Sequence, residues 1–379
     1  LEIKVTASEG EAMKLAMPTY RVDVTRPCDV IEDILRIYGY NNVPIPRSLH
    51  ASVSFKTPTD AADDLRRLLA NCLTGAGWTE ILNNSLTAKA YYEPLTTYPA
   101  EGCVELLNPL SQDLNVMRRT LLFGGLETLA HNINRRSASL AMYETGNVYS
   151  RRADVEIIDA TPLKPFTEGA RLALWLTGDS RPASWARPAE ETLFYDLKAA
   201  VLLVLARTGL DSRRYVIKEY DGEKDIYSNA LVIETRNGAR LGTMGILAAD
   251  LLRRADIKQP VYYAELDFDA LTAEAARSVT TFTPLPKTQD VKRDLSLLID
   301  KGVTMDAIDK VVRQSERKLL RDVALFDVYE GKGLPEGKKS YAISITLRDD
   351  EKTLNDKAVD AVMNKVIANL RKQLGAELR

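Results

Sequence analysis

Four carboxylates near the start of the chain have the residue types and spacing of a cation site. Asp29, Glu32 and Asp33 stand at positions i, i+3 and i+4 of a predicted helix, and therefore on one helical face. Asp23 lies just upstream, where the chain can fold back towards them. Clustered carboxylate oxygens suit a hard cation such as Mg²⁺. The alternative is that acidic residues in a first helical turn only complement the helix dipole, and the spacing leaves both interpretations open.

A lysine- and glycine-rich stretch, residues 331–340, has a superficial likeness to a phosphate-binding loop. Its spacing is one residue too long for the Walker pattern, and Lys339 stands where Ser or Thr is required. The flanking residues have the pattern of two strands rather than of a strand that enters a helix. We interpret the stretch as a solvated hairpin tip within reach of a nucleic-acid backbone.

The supply of reactive side chains argues against several kinds of catalytic site. The chain has two histidines, and its three cysteines, Cys28, Cys72 and Cys103, form no CxxC pair. Imidazole-based catalysis and cysteine-based zinc sites are therefore disfavoured, and the cysteine usage fits a reducing cytoplasm. Arg118 and Arg119 could hold a phosphate, but salt bridges at the start of a helix are the simpler interpretation.

The composition is that of a globular protein of two or three domains, with 379 residues, 45% hydrophobic and 27% charged. The net charge of −2 means that any nucleic-acid contact must come from a local patch. From residue 281 onward, 19 Lys and Arg face 16 Asp and Glu, which permits RNA binding without arguing for it. No apolar run is long enough to span a membrane. Because the sequence begins with Leu1 rather than Met, we expect a longer parent chain.

The elements that must position these residues fall into three predicted domains, 1–47, 48–280 and 281–379. The first has a helix opened by Pro27 and stopped by Gly39. The second mixes helices with strands and has no repeated βαβ rhythm, which predicts an α+β fold with a mostly antiparallel sheet. Its predicted elements are helices from residues 60 and 121, strands at 172–176 and 215–219, and a hairpin over 231–247 that turns at Asn237-Gly238.

The third domain has the most regular pattern. Leu295, Leu297 and Ile299 alternate along a predicted strand, and a helical stripe begins at Met305. Two further strands, a long amphipathic helix and a short last strand at 376–379 follow. The order β-α-β-β-α-β predicts a ferredoxin-like sandwich.

Several stretches are distinctive enough to indicate a family. Residues 20–23 read Tyr-Arg-Val-Asp, and residues 36–40 read Arg-Ile-Tyr-Gly-Tyr directly after the acidic positions. The middle domain carries Asn-Pro-Leu-Ser at 108–111 and Tyr-Glu-Thr-Gly-Asn-Val-Tyr at 143–149. The last carries Lys-Arg-Asp-Leu at 292–295 and Leu-Phe-Asp-Val-Tyr at 325–329. In these stretches the chain resembles the β subunit of bacterial phenylalanyl-tRNA synthetase, over essentially its whole length.

The resemblance implies a fold for each domain. The first would end a small helical module whose four carboxylates, matching Asp23, Asp29, Glu32 and Asp33, bind Mg²⁺ at the contact with the α subunit. The second would be a class II synthetase-like domain that has lost its active site. The third would be a ferredoxin-fold anticodon-binding domain.

The resemblance also implies a function. The chain would belong to a cytoplasmic (αβ)₂ phenylalanine–tRNA ligase, in which the α subunit binds ATP and phenylalanine and performs activation. This chain would carry no catalytic residue, but would bind tRNA(Phe) and assemble with α. The alternative is a synthetase-derived RNA-binding or scaffold protein that never charges tRNA.

Anticodon bases would stack on aromatic or arginine side chains, with basic residues on the phosphates. Phe326 and Tyr329 cannot share a face of a regular strand, so at least one of them is expected in the core. The predicted tRNA contacts are Lys292, Arg293, Phe326, Tyr329, Lys338 and Arg348.

Overall fold

The computed structural model describes residues 1–48, 57–152, 154–155, 158 and 161–379. The chain forms two compact units, Leu1–Ser278 and Val279–Arg379. The middle domain is predicted to start at residue 48, and the residues that follow, 49–56, lie outside the described part of the chain. The predicted division of the first unit at residue 47 stays a prediction.

The N-terminal part of the first unit is a hairpin followed by one helix. Strands β1 (Lys4–Glu9) and β2 (Ala12–Ala16) pair antiparallel, and the helix is α1 (Pro27–Tyr38). Pro27 is the first residue of α1, where a backbone N–H would have no partner within the helix and its absence from proline costs nothing. Gly39 ends the helix with a φ of +93°. Both ends were predicted.

A seven-stranded sheet organises the rest of the first unit. Its order is β11-β12-β13-β14-β8-β7-β3, antiparallel except that β3 runs parallel to β7. Gly238 takes φ of +84° in the predicted β12–β13 turn. The strands of this unit after β2 are β3 (Thr79–Glu80), β4 (Leu86–Thr87), β5 (Val104–Glu105), β6 (Val116–Met117), β7 (Leu140–Arg151), β8 (Phe166–Thr177), β9 (Asp179–Arg181), β10 (Glu190–Glu191), β11 (Tyr215–Glu219), β12 (Tyr227–Thr235), β13 (Arg240–Leu247) and β14 (Val261–Asp267).

Both faces of this sheet are buried. Along β8, Leu172, Leu174 and Leu176 face one core, while Ala173 and Trp175 face the other, because side chains alternate along a strand. Three helices, α2 (Pro58–Gly75), α4 (Phe194–Arg207) and α6 (Phe268–Ala276), cover the first face. Helices α3 (Leu122–Ile133) and α5 (Ala249–Arg254) cover the second, next to the small sheet β4-β6-β5. The α+β prediction is confirmed.

The second unit is the predicted ferredoxin-like sandwich. Its elements follow as β15 (Val291–Asp300), α7 (Met305–Ser315), β16 (Leu320–Tyr329), β17 (Lys338–Leu347), α8 (Asp356–Leu374) and β18 (Glu377–Leu378). The sheet order β16-β17-β15-β18 is antiparallel throughout. Helices α7 and α8 pack on one face of this sheet and bury its apolar residues.

One glycine tests how closely α3 approaches the large sheet. A Cβ on Gly125 would overlap the indole of Trp175, a fully buried side chain of β8. We expect Gly125→Ala to lower the free energy of unfolding by about 3 kcal/mol, because overpacked cores must shift backbone or rotamers. Urea denaturation measures it. Gly75→Ala is the matched control, since its Cβ would meet nothing within 4 Å, and should be neutral or slightly stabilising. Equal effects at both positions would contradict the close approach.

Candidate metal and RNA-binding sites

The structure does not bring the four predicted carboxylates together around one cation. In the described part of the chain, no three metal-ligating side chains are grouped so that they could hold a metal ion. Glu32 lies exposed on α1, while the other three carboxylates have partners of their own. The set as placed therefore does not fit a closed Mg²⁺ site.

Asp29 caps the start of α1. One of its oxygens accepts hydrogen bonds from the backbone N–H of Thr25 at 3.0 Å and of Arg26 at 2.8 Å, while the Arg26 guanidinium lies 3.0 Å from the other. The Arg26 side chain, followed by the two backbone donors, holds the pKa of Asp29 well below its usual range. A lowered pKa means that this stabilisation is present at neutral pH and is lost only in strong acid. The helix-dipole alternative thus describes Asp29.

Arg21 takes the place between the other two carboxylates. Its guanidinium lies 2.9 Å from Asp23 and 2.8 Å from Asp33, which is buried. The hydrogen bond from Arg21 also lowers the pKa of Asp23. Two of the predicted ligands therefore do converge on a cation, but the cation is a side chain of the same chain. The sequence shows this arginine at position 21, but the spacing does not show that it turns inward.

The second unit leaves one face of its sheet without a covering helix. Residues paired between β15 and β17 share a face, and the pair Leu297–Tyr341 belongs to the face under α7 and α8. The opposite face, called here the open face, carries mostly small side chains at its centre, such as Ser296, Ser340 and Ala342. Ser296 and Ala342 are partly exposed on this face, whereas Ser340 is buried.

A bulge in β16 places two aromatic rings at the edge of the open face. The register of β16 on β17 shifts between Leu325 and Asp327, so Phe326 is an extra residue opposite Ala342. The added residue reverses the alternation, and Phe326 therefore lies on the same face as Tyr329. Both rings are exposed, Phe326 by 59% and Tyr329 by 42%. The expectation that one of them belongs to the core is wrong, because it assumed a regular strand.

Arg379 follows β18 at the opposite edge of the sheet, and its side chain reaches across the open face to the Tyr329 ring. Its guanidinium lies 5.6 Å from the centre of the Tyr329 ring, while the Tyr329 hydroxyl donates to the carbonyl of Lys332 at 2.8 Å. A cation over a ring is a favourable arrangement, and both groups can also bind a base or phosphate. Arg379 is not among the tRNA contacts predicted from the sequence. The shift of the helix-facing apolar positions from Val323 and Leu325 to Val328 was the available signal for the bulge.

The predicted basic contacts are divided between the two faces. Lys292 lies exposed on the open face, opposite Thr346, whereas Arg293 lies on the helix-covered face, 3.4 Å from Asp356 at the start of α8. Lys338 pairs with Asp300 at 2.8 Å. The placement of Arg293 makes a shared RNA contact with Phe326 difficult.

Two further basic residues are engaged within the unit. Arg348 lies 2.9 Å from both Asp290 and Asp350. Lys339 is buried, and its amine donates to the Tyr341 hydroxyl at 2.9 Å, so the interpretation of residues 331–340 as a solvated tip is wrong for Lys339. Strand β17 begins at Lys338, which brings this lysine into the sandwich.

In the first unit, the sheet face under α3 is filled by aromatic rings. Trp175, Tyr227 and Tyr263 contact one another with ring centres 5.4 and 6.1 Å apart, and burial raises the pKa of both tyrosines well above the ordinary value. Glu265 accepts hydrogen bonds from the Thr120 hydroxyl at 2.5 Å and from the Leu121 N–H at 3.0 Å. The chain's own carboxylate thus occupies the start of α3, where a helix could otherwise receive an anion.

A buried ion pair holds the edge of the same sheet. The Arg118 guanidinium lies 2.6 Å from Glu144, with both side chains almost fully buried. Arg118 also donates to the carbonyl of Asn147 at 2.9 Å, and the Asn83 amide donates to Glu144 at 2.7 Å. The salt-bridge interpretation of this arginine, rather than the phosphate one, matches the geometry.

Comparison with protein families agrees with this architecture. Residues 45–268 match the phenylalanyl tRNA synthetase beta chain CLM domain, which is more than half of the chain. The chain belongs to the phenylalanyl-tRNA synthetase β chain family. Residues 286–379 match the ferredoxin-fold anticodon binding domain, and residues 1–40 match the tRNA synthetase B5 domain.

Relatives in this family align along the whole chain. The phenylalanine–tRNA ligase beta subunit of Porphyromonas gingivalis is 50% identical over 379 residues, which is 100% of this chain and 46% of that protein. The one from Bacteroides fragilis is 49% identical over 380 residues, with the same shares. The chain thus spans about half the length of these relatives.

Among solved structures, the pyrrolysyl-tRNA synthetase PylSc of Desulfitobacterium hafniense aligns with 57% of this chain and 69% of its own, at 14% identity and a TM-score of 0.43. We draw no argument from a similarity at this level. In the described residues, no helix is long and apolar enough to cross a membrane.

The buried ion pair gives a direct stability test. Arg118→Ala should lower the free energy of unfolding by about 3–5 kcal/mol, because Glu144 would remain charged and unpaired in the interior. Urea denaturation measures the loss. The double variant Arg118→Met, Glu144→Leu should recover most of it, since no buried charge is left. A loss below about 1 kcal/mol for the single variant would show that water reaches the pair.

Proposed function

We propose that this chain is the tRNA-binding and assembly part of a cytoplasmic phenylalanine–tRNA ligase β subunit. The observation that carries the proposal is the open face of the second unit, with Phe326 and Tyr329 at one edge and Arg379 against the Tyr329 ring, inside a region that matches an anticodon-binding domain. The first unit would pack against a catalytic α subunit in an (αβ)₂ heterotetramer, where α binds ATP and phenylalanine.

The proposed roles of the two units follow from how accessible one sheet face of each unit is to a ligand. The sheet face of the first unit under α3 is closed by rings and by Glu265, which argues against an adenylate site there. The open face is accessible and carries aromatic and cationic groups, which is the chemistry that holds single-stranded bases. The chain would therefore accelerate charging by positioning tRNA(Phe), since fixed orientation lowers a barrier without any reacting group.

The tRNA contact can be tested on one strand. Phe326→Ala should weaken binding of tRNA(Phe) about 10- to 100-fold, because stacking on an aromatic ring contributes about 1–3 kcal/mol per base. Filter binding at about 0.15 M salt measures the change. Val328→Ala is the matched control, because Val328 has a similar exposure of 50% but pairs with Tyr341 on the other face.

Two outcomes would contradict parts of this proposal. Equal binding by the Phe326 and Val328 variants would remove the open face as the RNA site. A second outcome is that the chain binds tRNA(Phe) but neither associates with the α subunit nor increases charging by α. That result would favour a synthetase-derived scaffold over a ligase subunit.

We also propose that the acidic cluster of Asp23, Asp29, Glu32 and Asp33 binds Mg²⁺ in the assembled enzyme. Two observations support this: the donors are oxygens only, and Asp23 and Asp33 already converge on one cation, Arg21. Binding would require Arg21 to release at least one carboxylate. Glu32, exposed and uninvolved in capping, is the residue whose loss separates metal binding from helix stability.

Millimolar Mg²⁺ should therefore raise the thermal unfolding midpoint by a few degrees, since a ligand at 100 times its Kd adds about 2.7 kcal/mol. Glu32→Gln should reduce this gain, whereas Asp360→Asn, an exposed carboxylate on α8, should not. EDTA should also weaken assembly with α, as measured by analytical ultracentrifugation. If 10 mM Mg²⁺ shifts neither the midpoint nor the assembly, Arg21 is the cluster's permanent cation.

A further inference from the structure

The hairpin formed by β9 and β10 presents a tryptophan at its tip. Trp185 is 100% exposed, whereas the chain's other two tryptophans, Trp78 and Trp175, are buried. Leu193 and Tyr195, just after β10, are also exposed, by 55% and 72%. The tryptophan is therefore one of several large apolar side chains left in water along this segment, a feature that marks interaction sites.

The base of the hairpin is fixed to the first unit. The Asp179 N–H donates to the Ser139 hydroxyl at 2.9 Å, which ties β9 to the start of β7. The Thr192 N–H donates to the carbonyl of Gly178 at 3.0 Å, which closes the two ends of the hairpin on each other. The hairpin thus projects from a defined point of the sheet.

The tip is also rigid. The Ser184 N–H donates to the carbonyl of Arg187 at 2.9 Å, and the Ser184 hydroxyl accepts from the Ala186 N–H at 3.3 Å. Pro182 and Pro188 restrict the backbone on either side of the turn. A side chain held in place before binding loses little conformational entropy when it is buried.

The charge of the tip indicates the chemistry of its partner. Residues 180–189 contain Arg181 and Arg187 but no carboxylate, and the acidic residues stand at the base. Arg181 lies 3.5 Å from Glu190, whereas Arg187 has no carboxylate partner in the part of the chain that the structure describes. The tip contains tryptophan and arginine but no lysine, and the centres of protein–protein interfaces are likewise enriched in the first two residue types and depleted in the third. A partner surface would offer an apolar pocket rimmed by carboxylates.

We propose that the Trp185 hairpin is an anchor that inserts into such an apolar, acid-rimmed pocket of the catalytic α chain. This inference rests on the assembly proposed above and names the residues that make one of its contacts. The ring of Trp185 supplies the buried area, and Arg187 supplies the charge contact at the edge of the pocket.

The test is the affinity of this chain for the α chain of the same synthetase, measured by analytical ultracentrifugation. Trp185→Ala should weaken association about 30-fold or more, since removal of a central aromatic anchor has effects of this size. Trp185→Phe should restore part of the affinity. Arg187→Ala should weaken association less, and more at low salt than at high salt. Unfolding midpoints should not change, because the Trp185 side chain is fully exposed.

The matched control is Leu163→Ala, which removes a leucine that is 76% exposed on another loop. If the unsubstituted chain associates and Trp185→Ala behaves like the control, the anchor is wrong and the proposed function stands. Because the chain spans about half the length of its relatives, the comparison is repeated with this sequence in a full-length β subunit, and if that subunit does not associate with α, both are wrong. If Trp185→Ala loses tRNA(Phe) while assembly is unchanged, the hairpin binds RNA and the anchor is again wrong.

Discussion

The buried ion pair between Arg118 and Glu144 is the interaction on which the first unit depends. Two opposite charges in the interior are stable only when every remaining donor and acceptor is also satisfied. Asn83 and the carbonyl of Asn147 complete this set, so that one pair joins the loop before β4, strand β6 and strand β7. The small sheet and the large sheet are thereby fixed to each other at the edge where β3 ends.

This arrangement supports the proposal that the first unit positions tRNA rather than reacts. The sheet face behind the ion pair is occupied by Trp175 and Tyr263, and Glu265 takes the backbone donor at the start of α3. Tyr263 donates to Glu265, which also accepts from the Leu121 N–H, so within the described residues this carboxylate is engaged by groups of the same chain. The groups proposed above to bind a second molecule lie elsewhere, on the open face of the second unit and at the hairpin tip of the first.

The sequence predicted those features that follow from local periodicity. The ends of α1 at Pro27 and Gly39, the turn at Gly238 and the β-α-β-β-α-β order all depend on residues close together in the chain. The side-chain partners were not predictable in this way. Whether Arg21 or Mg²⁺ lies between Asp23 and Asp33 depends on a side-chain direction that spacing does not encode. The same is true of Glu265, 144 residues from the N–H that it accepts.

The open face shows how one irregularity in a strand decides which side chains a surface exposes. A regular β16 would place Phe326 and Tyr329 on opposite faces of the sheet, and this edge of the open face would hold a single ring. The inserted residue costs one ladder position but brings both rings to the same side, above the small residues of β15 and β17. Pairing of β16 on one side only allows this, because the bulge disturbs no further strand. Departures from the regular pattern at an edge strand thus identify the residues available to a ligand, whereas regular alternation identifies the core.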